Sequence, residues 1–137
     1  MTTIIFTLLF SIPVFAPAER CFYIERPETI QPYEKIWNAT CEVESGFDAM
    51  AIGDKHLEEH SYGIVQIRKA RLSDYYRKTG VMYSERDMFD PVKAKRVFLW
   101  YCSGTDMEVI ARLWNGGPDG MSKKSTIKYW KLIQKAL

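Results

Sequence analysis

Hydrophobic side chains recur at helical spacing along most of this chain. The first such stretch runs from Tyr33 to Ser45, where the apolar positions form two adjacent stripes. Pro32 suits the first turn of a helix, and Gly46 is a typical helix stop. The pattern therefore predicts a helix from about Pro32 to Ser45.

The segment that follows changes character twice. Residues 47–60 are mostly polar and predict a loop, whereas residues 61–67 are mostly apolar. Helical spacing then resumes through Leu72 to Lys78 and stops at Gly80. Because strand-like alternation is confined to this part of the chain, we expect at most a small β hairpin around the polar loop.

Three further helices are punctuated by capping residues. Asp90 and Pro91 begin one, a capping box from Thr105 to Glu108 begins the next, and Gly116-Gly117-Pro118 ends it. The predicted bounds are 90–102, 105–116, and from 122 or 126 to near residue 137. The sequence therefore predicts a mainly α class, a small helical domain with a cleft and at most a short β hairpin.

The first 18 residues are set apart from this domain by composition. Met1 to Ala18 contains no charged side chain and has an apolar centre, and the small residues Ala16 and Ala18 precede Glu19. We predict a signal peptide over 1–18, an irregular lead-in over 19–31 and one domain over 32–137. The expected location is the periplasm or cell envelope. An uncleaved membrane anchor is the alternative interpretation.

The amino-acid composition excludes some classes of function. The 137-residue chain has 19 Lys and Arg against 17 Asp and Glu, a formal net charge of +2, which argues against a general nucleic-acid binder. Hydrophobic residues make up 47%, too many for a disordered tail. Aromatic residues reach 14%, and their rings both fill cores and stack on sugar faces.

Metal or cofactor chemistry is not expected. The cysteines, Cys21, Cys41 and Cys102, contain no CxxC pair, although one disulfide of undetermined pairing is possible. His56 and His60 are four residues apart, but no HExxH pattern exists and the segment is predicted as loop. We therefore predict neither a metal site nor a cofactor.

One carboxyl group has a sequence context that suits acid catalysis. On the predicted first helix, Glu44 shares a face with Trp37 and Cys41, whereas Glu42 points about 200° away and is expected to be solvated. Apolar surroundings penalise the ionised form of Glu44 and raise its pKa. A carboxyl with a raised pKa can act as a general acid on a glycosidic bond, although a partly exposed structural glutamate fits the same pattern.

Four short blocks around Glu44 occur in a familiar order. They are Glu44-Ser-Gly-Phe47, Ser61-Tyr-Gly-Ile-Val-Gln66, Trp114-Asn-Gly-Gly-Pro118, and Tyr129 in the last helix. This order resembles the catalytic domain of soluble lytic transglycosylases and goose-type lysozymes, over roughly residues 33–133. The resemblance implies a lysozyme-like α+β fold and a peptidoglycan-cleaving enzyme.

The resemblance also implies roles for individual residues. Glu44 matches the catalytic acid/base, and Tyr129 matches a tyrosine that forms a hydrogen bond near that carboxyl. The remaining matches are expected to bind substrate: Ser61 and Gly63 in the turn near Glu44, Gln66 in the groove, and Asn115 facing the sugar. The loop 54–60 departs from the family pattern because it is longer and more charged.

Two cleavage reactions fit this set of residues. In a lytic transglycosylase, our main prediction, Glu44 alone cleaves the bond between N-acetylmuramic acid and N-acetylglucosamine and a 1,6-anhydro ring closes. A hydrolysing lysozyme of the inverting kind needs a second acid about 6.5–9.5 Å away to activate water, and Asp54 is the first candidate. The other candidates in the same loop are Asp48, Glu58 and Glu59.

Other classes of function remain open at this stage. A glycan-binding module of the same fold without activity, or an interaction protein tethered by an uncleaved leader, would also fit. The expected partner is the peptidoglycan glycan strand, in a monomeric protein that could serve a cell-envelope, secretion, conjugation or phage apparatus. The lysine-rich segment from Met121 onwards could attract anionic wall polymers or lipid headgroups, or be a solvated helix face.

Overall fold

The computed structural model describes residues 31–102, 104 and 106–137. Over these residues the chain forms five α-helices, three two-residue strands and two short 3-10 helices, which confirms the mainly α class. The helices are α1 (Gln31–Ser45), α2 (Lys69–Thr79), α3 (Pro91–Tyr101), α4 (Met107–Gly116) and α5 (Lys124–Ala136). The strands are β1 (Ile52–Gly53), β2 (Ser61–Tyr62) and β3 (Ile67–Arg68), and the 3-10 helices are Glu85–Phe89 and Gly120–Ser122.

The amino-terminal predictions lie outside the described residues. These are the signal peptide over 1–18, all but the last residue of the lead-in, and Cys21. Within the described part of the chain, no helix combines the length and apolar character needed to cross a membrane. The predicted domain boundary at residue 32 stays a prediction.

The small sheet has one strand more than a hairpin. Its order is β1-β2-β3, and both pairings are antiparallel, with Tyr62 opposite Ile52 on one side and Ile67 on the other. Each strand is two residues long, which is too short to show a repeating alternation in the sequence. The chain turns into β3 through Gln66, whose φ of 53° lies in the left-handed region.

Two helix ends lie at the predicted capping residues, and a third is shifted by one residue. The Asp90 carboxylate accepts from the Val92 N–H and caps α3, and Gly80, with φ 73°, ends α2 as predicted. At α4 the cap is Asp106 instead of the predicted Thr105, because the Asp106 carboxylate accepts from both the Glu108 and Val109 N–H groups.

The core is built around α1, which packs against α5, α4 and α3. Ile36, Ala39 and Cys41 on this helix are completely buried. An aromatic chain extends the core, since Phe98 makes edge-to-face contacts with Trp37 at 5.3 Å and with Trp114 at 4.8 Å between ring centroids. Through this packing, the carboxyl end of α1 is fixed against the helices that form the cleft described below.

The two cysteines in the described residues are structural. Cys41 is buried and Cys102 half-buried, and no disulfide joins them. Burial raises the pKa of each thiol to about 12, so both stay protonated at neutral pH.

Candidate active site

A cleft of about 960 Å³ crosses the molecule beside Glu44. One wall comes from the sheet and α2, and the other from α3, α4 and the turn after α4. The volume lies at the upper end of the usual range for ligand pockets, about 300–1,000 Å³. Of the residues predicted for the site, the following line it: Glu44, Asp54, Ser61, Gln66 and Asn115.

Glu44 sits in the last turn of α1 and is partly buried. The hydroxyl of the buried Tyr129 on α5 donates to its Oε1 atom at 2.7 Å. Burial raises the pKa of Glu44 above its ordinary value, and the Tyr129 hydrogen bond opposes that shift without cancelling it. Glu44 is therefore a carboxylic acid that keeps its proton to higher pH than an exposed glutamate.

The end of α1 is tied to the sheet. The Ser45 hydroxyl donates to the carbonyl oxygen of Ile64 at 2.8 Å. Gly46 and Phe47 then take positive φ angles of 63° and 66°, which turn the chain away from the helix. The hydrogen bond from Ser45 to Ile64 holds the last turn of α1, which carries Glu44, against the segment that leads into β3.

Asp54 has the opposite environment. It follows β1 with φ 53°, and Arg68 on β3 donates from Nε and Nη2 to its Oδ2 atom at 3.1 and 2.7 Å. These hydrogen bonds lower the pKa of Asp54 below its ordinary value. The negative charge of Asp54 also contributes to raising the pKa of Glu44. Glu44 thus favours the protonated form, whereas Asp54 in the same cleft favours the ionised form.

Ser61, Gly63 and Gln66 brace the sheet-side wall. The Ser61 hydroxyl donates to Gln66 Oε1 at 2.7 Å, and Gln66 Nε2 donates to the Gly63 carbonyl at 2.8 Å. Gly63 is buried, and a Cβ there would lie 1.9 Å from the Met88 carbonyl oxygen. The polar atoms of Ser61 and Gln66 are thus engaged within the protein, and sugar binding by these three residues stays a prediction.

Asn115 lies on the opposite wall, exposed at the end of α4. Its amide can both donate and accept hydrogen bonds, as sugar hydroxyl and N-acetyl groups require. The turn beyond it is held by Arg112, which donates to Thr126 Oγ1 at 3.2 Å and to the Met121 carbonyl. This network fixes the backbone that borders the cleft on the Asn115 side.

A row of charged residues that begins on β3 and continues along α2 also lines the cleft, and sequence analysis missed it. Arg71 stacks on the rings of Tyr101 and Trp114, 4.5 and 4.1 Å from the centroids, and donates to the Trp114 carbonyl at 2.7 Å. The Tyr101 hydroxyl donates to Asp74 at 2.9 Å. The available signal is a charge at every third position: Arg68, Arg71, Asp74 and Arg77.

The remaining acidic candidates and His60 lie away from the cleft. Glu58, Glu59 and His60 border a separate pocket of about 190 Å³, and Asp48 caps its own turn by accepting from the Met50 N–H. Within the residues that the structure describes, no group of three His, Cys, Asp or Glu side chains is arranged to hold a metal ion. These residues add no further carboxyl to the cleft.

No protein-family profile matches the chain, and no curated protein matches it. Solved structures do match the chain. The lysozyme of Tapes japonica is 26% identical, with a TM-score of 0.60, over 74% of this chain and 88% of that one. The fold is lysozyme-like. Two structures of the lysozyme of Meretrix lusoria, one in complex with PliI of Aeromonas hydrophila and one inhibitor-bound, are each 29% identical, with TM-scores of 0.51 and the same coverage.

This likeness confirms the lysozyme-like fold and supports a peptidoglycan-cleaving glycosidase. The neighbours are named as lysozymes, so they are closer to the hydrolytic alternative than to the transglycosylase. The more specific similarity to soluble lytic transglycosylases and goose-type lysozymes stays a prediction.

Proposed function

We propose that this protein is a lysozyme that hydrolyses the β-1,4 bond between N-acetylmuramic acid and N-acetylglucosamine in peptidoglycan. The observation that carries the proposal is the pair of carboxyls in one cleft. The pKa of Glu44 is raised by burial, and the pKa of Asp54 is lowered by Arg68. Two carboxyls whose pKa values are pushed apart can act as acid and carboxylate at the same pH.

In this reaction Glu44 donates one proton and Asp54 accepts another. Glu44 donates its proton to the glycosidic oxygen, so that N-acetylglucosamine leaves as a neutral alcohol. Positive charge develops on the muramyl ring, and the Asp54 carboxylate stabilises it electrostatically. Asp54 then accepts a proton from the water molecule whose oxygen bonds to the muramyl C1 atom. Proton exchange with solvent restores both groups.

The walls of the cleft have complementary tasks in this proposal. Asn115, exposed at the end of α4, offers donors and acceptors to the sugar. Ser61 and Gln66 keep the opposite wall in shape through their own hydrogen bond. The bound partner is a glycan strand, and the protein acts as a monomer.

A lytic transglycosylase is the second candidate, and the Arg68–Asp54 contact favours it. Because Arg68 donates twice to Asp54, that carboxylate is a weak base for activating water. In the alternative reaction Glu44 first protonates the glycosidic oxygen. The resulting Glu44 carboxylate then takes the proton of the muramyl C6 hydroxyl, whose oxygen closes the 1,6-anhydro ring on C1.

Mass spectrometry of the products tests both reactions. Purified peptidoglycan is digested in heavy-oxygen water by the protein and by the Glu44→Gln variant. Hydrolysis gives reducing ends that carry the heavy oxygen, whereas ring closure gives anhydro ends that are lighter by one water and unlabelled. The matched control is Glu42→Gln, since Glu42 lies exposed on the same helix.

Each outcome of the digestion supports one function of the protein. Labelled reducing ends that disappear with Glu44→Gln support the lysozyme. Unlabelled anhydro ends overturn hydrolysis and establish the transglycosylase. If neither protein releases products but both sediment with the wall, the chain is a glycan-binding module and the catalytic proposal is rejected.

We also propose that the protein is exported to the periplasm or cell envelope, where its substrate lies. Support comes from the uncharged apolar stretch from Met1 to Ala18. Amino-terminal sequencing of the protein recovered from the envelope tests this. A start at Glu19 is expected, and a start at Met1 in a membrane fraction would indicate an anchor.

A further inference from the structure

The outward face of α5 carries a continuous stripe of lysines. Lys124, Lys128, Lys131 and Lys135 follow one another at intervals of four, three and four residues, and all are exposed. At 100° and 1.5 Å per residue, they occupy an arc of about 60° over a length of about 16 Å. No Asp or Glu occurs from Met121 to Leu137, so no acidic side chain of this segment neutralises the stripe.

The stripe lies opposite the side of α5 that packs on the domain. Thr126, Tyr129 and Ile133 are buried and centre about 165° around the helix from the lysines. Two exposed apolar side chains border the stripe, Ile127 at 42% and Leu132 at 51% exposure, each about 70° from its centre. A purely solvated helix face has no need of these apolar borders, whereas a helix lying in a membrane interface uses both features.

We propose that this face of α5 docks on a bilayer that contains anionic lipids. Four positive charges in a straight row match a plane of anionic headgroups, and lysines near such a surface each strengthen binding about fivefold. Ile127 and Leu132 favour a bilayer over a dissolved polyanion, because they can reach the boundary between headgroups and acyl chains. The area is small, so binding is reversible and falls with rising salt.

Docking in this orientation leaves the cleft accessible. Tyr129, which reaches Glu44, lies about 130° around α5 from the centre of the stripe. The stripe therefore faces away from the Glu44 carboxyl. A docked protein would be concentrated at the membrane surface with its cleft open to glycan, and the proposal stands whichever cleavage reaction the cleft performs.

Vesicle sedimentation tests the proposal with the full chain. Binding is measured as the ratio between phosphatidylglycerol-containing vesicles and pure phosphatidylcholine vesicles, so that insertion of the amino-terminal apolar segment cancels. The stripe variant changes Lys124, Lys128, Lys131 and Lys135 to Gln. A matched variant changes four exposed lysines elsewhere to Gln: Lys35, Lys55, Lys69 and Lys78. Both variants lose the same charge, and circular dichroism checks that both stay folded.

We expect the ratio to fall more than a hundredfold in the stripe variant, since four factors of about five are lost, and to fall far less in the matched variant. Equal losses in the two variants would mean that net charge alone attracts the protein, and would overturn the proposal. A wild-type ratio of one would also overturn it.

A second pair of substitutions separates the bilayer from a soluble polyanion. Ile127→Ser with Leu132→Ser keeps every lysine and removes the apolar borders. The proposal expects weaker binding to anionic vesicles and unchanged binding to soluble polyphosphate. If wild-type binding to polyphosphate is strong and vesicle binding does not change in this variant, the partner is a polymer and the bilayer proposal is wrong.

Discussion

Two carboxyls of the cleft are held in different ways, Glu44 on the helical side, at the end of α1, and Asp54 on the sheet side, after β1. On the helical side, Glu44 is held by burial and by one hydrogen bond from Tyr129. On the sheet side, Asp54 is held by two charge-assisted hydrogen bonds from Arg68, in a partly exposed turn. The first environment favours the neutral acid, and the second favours the anion.

The difference shows that the same functional group takes its role from where the backbone places it. A helix end packed against the core supplies low polarity, and the strand at the opposite edge of the small sheet supplies a charged neighbour. Substitutions on the two sides should therefore shift the alkaline limb of the pH dependence in opposite directions, to lower pH for Asp54→Asn and to higher pH for Tyr129→Phe.

The largest effect is expected on the helical side. Glu44→Gln keeps the shape of the side chain and an acceptor for Tyr129 but removes the proton that is transferred. We expect the rate of glycan cleavage to fall by about 10²- to 10⁴-fold, as for loss of a general acid. Initial rates on purified peptidoglycan measure this, with Glu42→Gln expected to retain the wild-type rate. Full activity of Glu44→Gln would show that Glu44 is not the general acid.

The sheet side is tested by Asp54→Asn. If Asp54 serves hydrolysis, its loss lowers the cleavage rate by about 10²- to 10⁴-fold. The substitution also removes a negative charge that contributes to raising the pKa of Glu44, so the alkaline limb of any residual activity should move to lower pH. A variant with the wild-type rate and anhydro products would show that the sheet side does not contribute a catalytic group.

The architecture of the sheet side is tested by a glycine pair. Gly63→Ala places a Cβ 1.9 Å from the Met88 carbonyl at a φ of 75°, and should destabilise the protein by about 3 kcal/mol through strain and overpacking. Gly80→Ala has a similar φ of 73° but open space around the new Cβ. It should cost about 1 kcal/mol, from the backbone alone. Urea unfolding of both variants compares them, and equal losses would mean that the packing at Gly63 is unimportant.

The smallest effect is expected from Tyr129→Phe, which fine-tunes the helical side. The Tyr129 hydroxyl stabilises the ionised form of Glu44, so its removal should raise the pKa of Glu44 further. Because the acid must be protonated to act, activity is lost as pH rises through that pKa. The alkaline limb should therefore move to higher pH, with a rate change of about fivefold or less at the optimum. A limb that moves to lower pH would contradict the assigned direction.

The sequence predicted the helical side better than the sheet side. The first helix, its stop at Gly46 and the Asp90 cap of α3 follow from local spacing, because each is determined by neighbours along the chain. The hydrogen bond from Tyr129 to Glu44 joins residues 85 positions apart, and only the resemblance to a known family anticipated it.

On the sheet side, the decisive facts are not local. The strands have two residues each, and the Arg68–Asp54 contact crosses the sheet. Asp54 and Gln66 adopt positive φ angles although neither is a glycine, so residue type does not reveal these turns. Arg71 was missed because its function in the cleft depends on rings from α3 and α4. Propensity carries no information about such partners.

The pairing of Gly53 with Ser61 closes the base of the loop between β1 and β2. Residues 55–60 project beyond this closed base, while the hydrogen bonds between Ser61, Gln66 and Gly63 hold the wall beneath them. Insertions, deletions or grafts in this segment should leave the end of α1 that carries Glu44 undisturbed. The loop is thus a modular position whose length and sequence can change without altering the fold that holds Glu44.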